Sequence, residues 1–314
     1  MPHTKPLRLK TGRGEIQLPA YIPVTTFGKK YPLDDLVRPY LPRLAQAVMV
    51  SYHYARQAAE WPSLPLMIDS GGFASLFSNA RIITDNKLGC IEIISADGEK
   101  ETLHPRSILE FQEAHADIAF SLDFPIPPGM NIKEARHRQI LTIINAKWAI
   151  ANRRRRDMLL FACVQGWDIN SFEKCAKELC AGDFDGFAIG GLVPRARDEK
   201  LVLEIVRTVR RAIPDKPLHV FGLGKPALVR KLFGLGVDSI DSSSYVQLAA
   251  DGRLWGSPAK LSQLSPTARL HLALCNLATA GGTALPLGMA DTLFRTAIAM
   301  GHIQSEMVNT IPLD

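Results

Sequence analysis

The chain has 314 residues, 46% of them hydrophobic and 22% charged, and 37 Lys and Arg against 31 Asp and Glu leave a net charge of +6. This length and composition support a sizeable core in one large domain or two modest ones, and exclude a disordered chain, a coiled coil and a disulfide-stapled miniprotein. Five cysteines, Cys90, Cys163, Cys175, Cys180 and Cys275, contain no C-x-x-C pair, so neither a disulfide framework nor a zinc ribbon is expected.

In chain order, the opening Met-Pro-His-Thr-Lys-Pro lacks the apolar stretch of a secretory signal, which leaves the cytoplasm as the expected location. Short apolar runs then follow at 20–24, 47–50, 66–69, 118–123, 160–165, 186–190, 218–222 and 239–242. Helical patterns separate them at 33–41, 105–114, 132–155, 171–181, 198–213 and 226–235. Repeated strand-then-helix units with this strand count predict an α/β fold, a (β/α)8 TIM barrel with a parallel sheet. Residues 81–103 break the rhythm: Ile91-Glu92-Ile93-Ile94 followed by Asp97-Gly98 predicts a β-hairpin inserted after the third strand. From about 258 the chain turns Ala/Leu-rich and helical, which divides it into a barrel over 1–257 and a C-terminal helical cap over 258–314. The longest uncharged stretch, 272–290, is broken by Gly281, Gly282 and Pro286, so no membrane span and no membrane partner are expected.

Barrel chemistry collects where strands end. The third run delivers Asp69-Ser70-Gly71-Gly72-Phe73, the fourth Asp123, the fifth Gln165-Gly166, the sixth Gly190-Gly191-Leu192, the seventh Gly222-Leu223-Gly224 and the eighth Asp241. Taken singly, a glycine after a strand is turn chemistry and an Asp is a helix cap. Three carboxylates and an amide on one rim point to a site instead. There is no Ser-His-Asp order, no H-E-x-x-H, and no strand-end lysine apart from Lys225. Serine hydrolysis, zinc proteolysis and Schiff-base chemistry therefore each lack their central residue. A carboxylate pair suits glycosyl transfer, one group attacking an anomeric carbon while the other moves the proton. Asp123 and Gln165 can pair with a base edge, Gly190 and Gly191 allow close approach of a planar ligand, and Phe73 can stack on it.

These residues resemble the tRNA-guanine transglycosylases, base-exchange enzymes built on a (β/α)8 barrel. The likeness runs in order through Pro23-Val24, Gly28-Lys29-Lys30, Ser51-Tyr52-His53, Asp69-Ser70-Gly71-Gly72-Phe73, Asp117-Ile118-Ala119, Asp123 and Lys147-Trp148-Ala149. It continues in Val164-Gln165-Gly166, Asp185 to Leu192, Gly222-Leu223-Gly224-Lys225-Pro226 and Gly236 to Asp241. The resemblance implies Asp241 as nucleophile at C1′ and Asp69 as general acid/base. It implies Ser70, Gly72, Asp123, Gln165, Gly190, Gly191, Leu192 and Gly222 as the base-binding set, with Phe73 and Phe221 on the two base faces. Exchange of one base for another needs neither ATP nor a redox cofactor, so none is expected.

Three departures stand out. The family's basic T-R-x-x-R-type segment is replaced by Ser242-Ser243-Ser244-Tyr245-Val246-Gln247, and Cys275 is the only cysteine after Asp241, where the family has a four-ligand zinc site. Val50 replaces a family Asn near the aspartates. The first two favour the paralogue branch that inserts a 7-deazaguanine into DNA, with tRNA as the alternative acceptor. The implied partners are nucleic acid and a free 7-deazaguanine base such as preQ0; accessory proteins and oligomeric state stay open.

Arg195, Arg197 and Lys225, on strand-to-helix loops, are the expected phosphate contacts. The run Arg153-Arg154-Arg155-Arg156 follows a helix and reads either as a solvated helix C-terminus or as a phosphate contact, the second disfavoured because barrel helices point their C-termini away from the active rim. Two other classes compete: a barrel enzyme on a phosphorylated metabolite, suggested by Gly222-x-Gly224, and a non-catalytic nucleic-acid-binding homologue. The first lacks a rim Lys, His or metal cluster, and the second would gain nothing from keeping both Asp69 and Asp241 close together.

Overall fold

The computed structural model describes residues 8–26, 32–58 and 60–283. The strands are β1 (Arg8–Thr11), β2 (Gly14–Gln17), β3 (Ala20–Pro23), β4 (Val48–Val50), β5 (Leu66–Ile68), β6 (Ala80–Asp85), β7 (Leu88–Ile94), β8 (Lys100–Leu103), β9 (Ile118–Phe120), β10 (Leu159–Val164), β11 (Gly186–Ile189), β12 (Leu218–Val220) and β13 (Ser239–Ser242). Eight of them form one parallel sheet in the order β3-β13-β12-β11-β10-β9-β5-β4. A parallel bridge between Val24 and Met49, with Thr25 N–H donating to Met49 O at 2.9 Å, brings the two edges together. The result is the expected (β/α)8 barrel, and each of the eight apolar runs contains one strand.

The helices are α1 (Pro32–Val37), α2 (Leu41–Leu44), α3 (Tyr52–Ala55), α4 (Pro105–His115), α5 (Ile132–Asn152), α6 (Ile169–Leu179), α7 (Glu199–Ala212), α8 (Pro226–Gly234), α9 (Ser244–Ala250) and α10 (Pro266–Gly281). The helix expected over 33–41 is interrupted by a 3-10 turn at Arg38–Tyr40. Pro39 and Pro42 cannot donate to the preceding turn, which is enough to break so short a helix.

Strand alternation divides the apolar residues into two cores. Val48, Leu66, Ile68, Leu160, Ala162, Val164, Phe187, Ile189, Val220 and Ile240 face the helices. Ala20, Ile22, Met49, Met67, Ile118, Phe120, Phe161, Cys163 and Ala188 fill the barrel. Because successive residues point to opposite faces, the next inward positions at the strand ends are Asp69, Gln165, Gly190, Phe221 and Asp241. Val50 belongs to the outer core, so its side chain is turned away from the aspartates.

The insertion after β5 is larger than a hairpin. β6, β7 and β8 form a three-stranded antiparallel sheet. Besides the turn around Gly98, a two-residue turn at Asn86-Lys87 joins β6 to β7, with φ of 48° and 72°. Positive φ at both positions is the geometry of a type I′ turn, but Lys in the second place hides that signal in the sequence.

Two further elements close the barrel. β1 and β2 form a hairpin not expected from the sequence, and Ile16 and Leu18 from this region enter the barrel core. Arg13 ties the hairpin to the strand bottoms through Asp117 Oδ2 at 2.7 Å, and Asp117 also accepts Leu66 N–H at 2.8 Å. The last described helix, α10, packs against α9, α1, α8 and β3, and residues 284–314 of the expected helical cap lie outside the described residues. In the arginine run after α5, Arg153 is buried against Asp185 and Met158 O and Arg155 donates to Glu113 O at 2.8 Å, whereas Arg154 and Arg156 are exposed.

Candidate active site

Helices α6 and α7 are capped by Asp168 and Asp198, whereas Asp123 and Asp241 cap nothing. Both face the mouth at the C-terminal ends of the strands. Asp123 Oδ1 accepts from Ser70 Oγ at 2.9 Å, and its Oδ2 accepts from Gln165 Nε2 at 2.6 Å. Burial raises Asp123 above the ordinary carboxylate range, an effect the Gln165 and Ser70 hydrogen bonds partly offset. Backbone crowds this pair: a Cβ on Gly72 would lie 2.7 Å from Asp123 Oδ1, and one on Gly190 would overlap Gln165 Nε2 and sit 3.3 Å from Asp123 Oδ2. Only glycine fits at either place. Gly190→Ala should therefore lower stability by about 1–3 kcal/mol in urea unfolding, the cost of overpacking. Gly234→Ala, at a position with nothing within 4 Å, serves as the control that should lose little.

Asp69 follows β5 and uses Oδ1 to accept Gly71 N–H at 2.8 Å and Tyr52 N–H at 3.1 Å. Surrounded by protein yet keeping part of its surface open, it is pushed up to about 6, chiefly by desolvation. The two backbone hydrogen bonds and Ser51 oppose the rise, and the negative charge of Asp241 adds to it. Asp241 is buried, and its Oδ1 accepts Gly222 N–H at 3.1 Å and faces His219 Nε2 at 3.0 Å.

The remaining expected residues divide. Leu192 is fully buried in the outer core, so only its main chain can meet a ligand; Gly191 is half-buried. Phe73 is 63% exposed, edge-on to Phe77, while Phe221 packs against Phe120 and His219 with ring centroids 4.9 Å from each. Arg197 and Lys225 are exposed. Arg195 corrects the phosphate-contact expectation: it is buried, and its guanidinium donates to Ile126 O at 2.8 Å, to Gly191 O and to Gly166 O at 3.3 Å. These carbonyls come from three loops, so Arg195 braces the base-side loops from beneath. Gly28, Lys29 and Lys30 lie outside the described residues.

Several supporting residues were not singled out from sequence. Gln112 on α4 donates to the carbonyls of Ile68, Asp69 and Phe120, and Gln139 on α5 donates to Gln165 O at 2.7 Å and Ser171 O at 3.0 Å. His219 and Ser239 sit one inward layer below Phe221 and Asp241. A histidine at an inward position of an apolar strand was the available signal.

A protein-family model described as queuine tRNA-ribosyltransferase matches residues 5–272. The chain belongs to this family. It is 30% identical over 252 residues to the tRNA-guanine(15) transglycosylase of Methanothermobacter thermautotrophicus, covering 78% of this chain and 36% of the relative. It is 31% identical to the queuine tRNA-ribosyltransferase of Thermosipho africanus, covering 63% of this chain and 54% of the relative. Against the queuine tRNA-ribosyltransferase of Desulforapulum autotrophicum it is 29% identical, covering 84% and 75%. The chain thus spans about a third to a half of the length of the first two.

The zinc site expected of the family does not fit the residues present. Cys275 is buried in α10 with Sγ 3.3 Å from His271 Nε2, one helical turn away. Among the described residues no three His, Cys, Asp or Glu side chains gather as metal ligands.

Proposed function

We propose that this transglycosylase-family protein replaces guanine in a nucleic acid with a 7-deazaguanine base such as preQ0, with DNA as the favoured acceptor. The observation that carries the chemistry is a pair of carboxylates in different settings at the strand ends: Asp69 accepts Gly71 and Tyr52 N–H after β5, and Asp241 on β13 accepts Gly222 N–H and lies 3.0 Å from His219 Nε2 through the same oxygen. Asp241 Oδ2 attacks C1′ as the C1′–N9 bond breaks, and Asp69 passes its proton to the departing guanine. The incoming base then gives its N9 proton to Asp69 and attacks C1′. The C1′–Oδ2 bond breaks, and its electron pair returns to Asp241. Two displacements retain the anomeric configuration.

Asp123 and Gln165 present acceptor and donor atoms to the base edge, Gly72 and Gly190 let it approach, and Phe73 and Phe221 offer stacking faces. The target base has to leave its stack to reach the barrel mouth, so unpaired or deformed sites should react faster than regular duplex. The serine-rich segment after Asp241, in place of a basic one, favours DNA over a folded tRNA. The tRNA reading is favoured by the names of the relatives. Exchange of labelled guanine into duplex DNA, single-stranded DNA and tRNA, run side by side, decides between them. Label entering DNA, fastest in single strands, is the expected result; label entering tRNA alone overturns the acceptor assignment.

A further inference from the structure

Directly behind Asp241 lies a polar pair enclosed in aromatic surface. His219 and Ser239 are register partners on the adjacent parallel strands β12 and β13, both pointing into the barrel. His219 is fully buried, with the rings of Phe120 and Phe221 at 5.2 and 4.9 Å. A buried imidazole needs partners for both nitrogens, and it has them: Nδ1 lies 2.8 Å from Ser239 Oγ, and Nε2 lies 3.0 Å from Asp241 Oδ1. A hydroxyl can donate or accept, but a carboxylate only accepts. The arrangement without lone-pair repulsion has Ser239 O–H donating to Nδ1 and Nε2–H donating to Asp241.

Resting on the reading of Asp241 as nucleophile, we infer that His219, oriented by Ser239, is the positioning residue of that carboxylate. With Gly222 N–H, it gives Oδ1 two donors, while Oδ2 takes no hydrogen bond from the described residues. The donors fix which oxygen attacks. They also remain in place when the glycosyl ester is cleaved: as C1′–Oδ2 breaks, the negative charge returning to the carboxylate is received by N–H groups already aimed at it. His219 therefore acts in both displacements while touching neither base.

The test compares His219→Phe, which keeps a ring and removes the donor, with His219→Gln, which restores an N–H at comparable reach. Covalent-adduct formation, kcat and KM for the incoming base are measured together with thermal melts. His219→Phe is expected to lower kcat by about 10- to 100-fold. KM should stay within about twofold in this variant, because a phenyl ring still supports Phe221 and the edge-reading Asp123 and Gln165 lie beyond other strands. His219→Gln should recover most of the loss. Full kcat in His219→Phe, or equal losses in two variants that melt like the wild type, overturns the inference. An adduct that persists in Asp241→Asn instead overturns the nucleophile reading. Nitrogen NMR of the wild-type imidazole reads the tautomer without turnover: a proton on Nε2 is expected, and a lone pair there defeats the inference even if the Phe variant fails to fold.

Discussion

Asp241→Asn should abolish the covalent glycosyl–protein adduct and reduce base exchange by roughly 10⁴-fold or more, the scale seen when a nucleophile is removed from an assembled site. Asn can still accept the Gly222 N–H through Oδ1, so the pocket should keep its shape. Binding of the free base, which we assign to Asp123 and Gln165, should change little. Adduct capture by denaturing gel after mixing with an oligonucleotide, alongside equilibrium dialysis of the base, separates these quantities. Exchange at the wild-type rate in this variant would show that the attacking group lies elsewhere.

Asp69→Asn should lose exchange by about 10²- to 10⁴-fold while making the fold more stable at neutral pH. The carboxyl holds its proton more tightly in the folded state, about 6 against an ordinary value of 3.8, with burial as the main cause. Its contribution to stability is thus complete below the ordinary value and is lost as pH rises through about 6. Allowing for its partly open surface, the cost at pH 7 to 8 is on the order of 2 kcal/mol. Asn can keep both Oδ1 hydrogen bonds with no charge to desolvate. Urea unfolding of wild type and variant from pH 4 to 8 should show the variant's advantage absent near pH 4, growing up to about pH 6 and level above it. A variant less stable than wild type at pH 8 would refute the burial account.

Most of the barrel was legible because each apolar run is short, bounded by turn residues and followed by a helical period. Asp69, Gln165 and Asp241 stand out as residues delivered at strand ends, and each continues the inward-facing register of its strand. What escaped was context. Arg195 looks like a loop cation, and nothing local reveals that three carbonyls from separate loops converge on it. Gln112 and Gln139 read as polar faces of amphipathic helices, although both are buried against strand ends. β1 and β2 were missed because Thr11-Gly12-Arg13-Gly14 follows four residues that are only partly apolar. The pairing of His219 with Ser239 needs strand register, which no single segment contains.

The hairpin that carries Ile16 and Leu18 into the barrel, pinned by Arg13 to Asp117, seals the floor. In the proposed reaction the base enters among Asp69, Asp123 and Gln165 from the mouth at the strand ends, and the departing guanine must vacate its berth before a replacement can occupy it. Turnover should obey this queue: double-reciprocal plots against the two substrates should run parallel, and surplus guanine should compete with the newcomer for the empty stall.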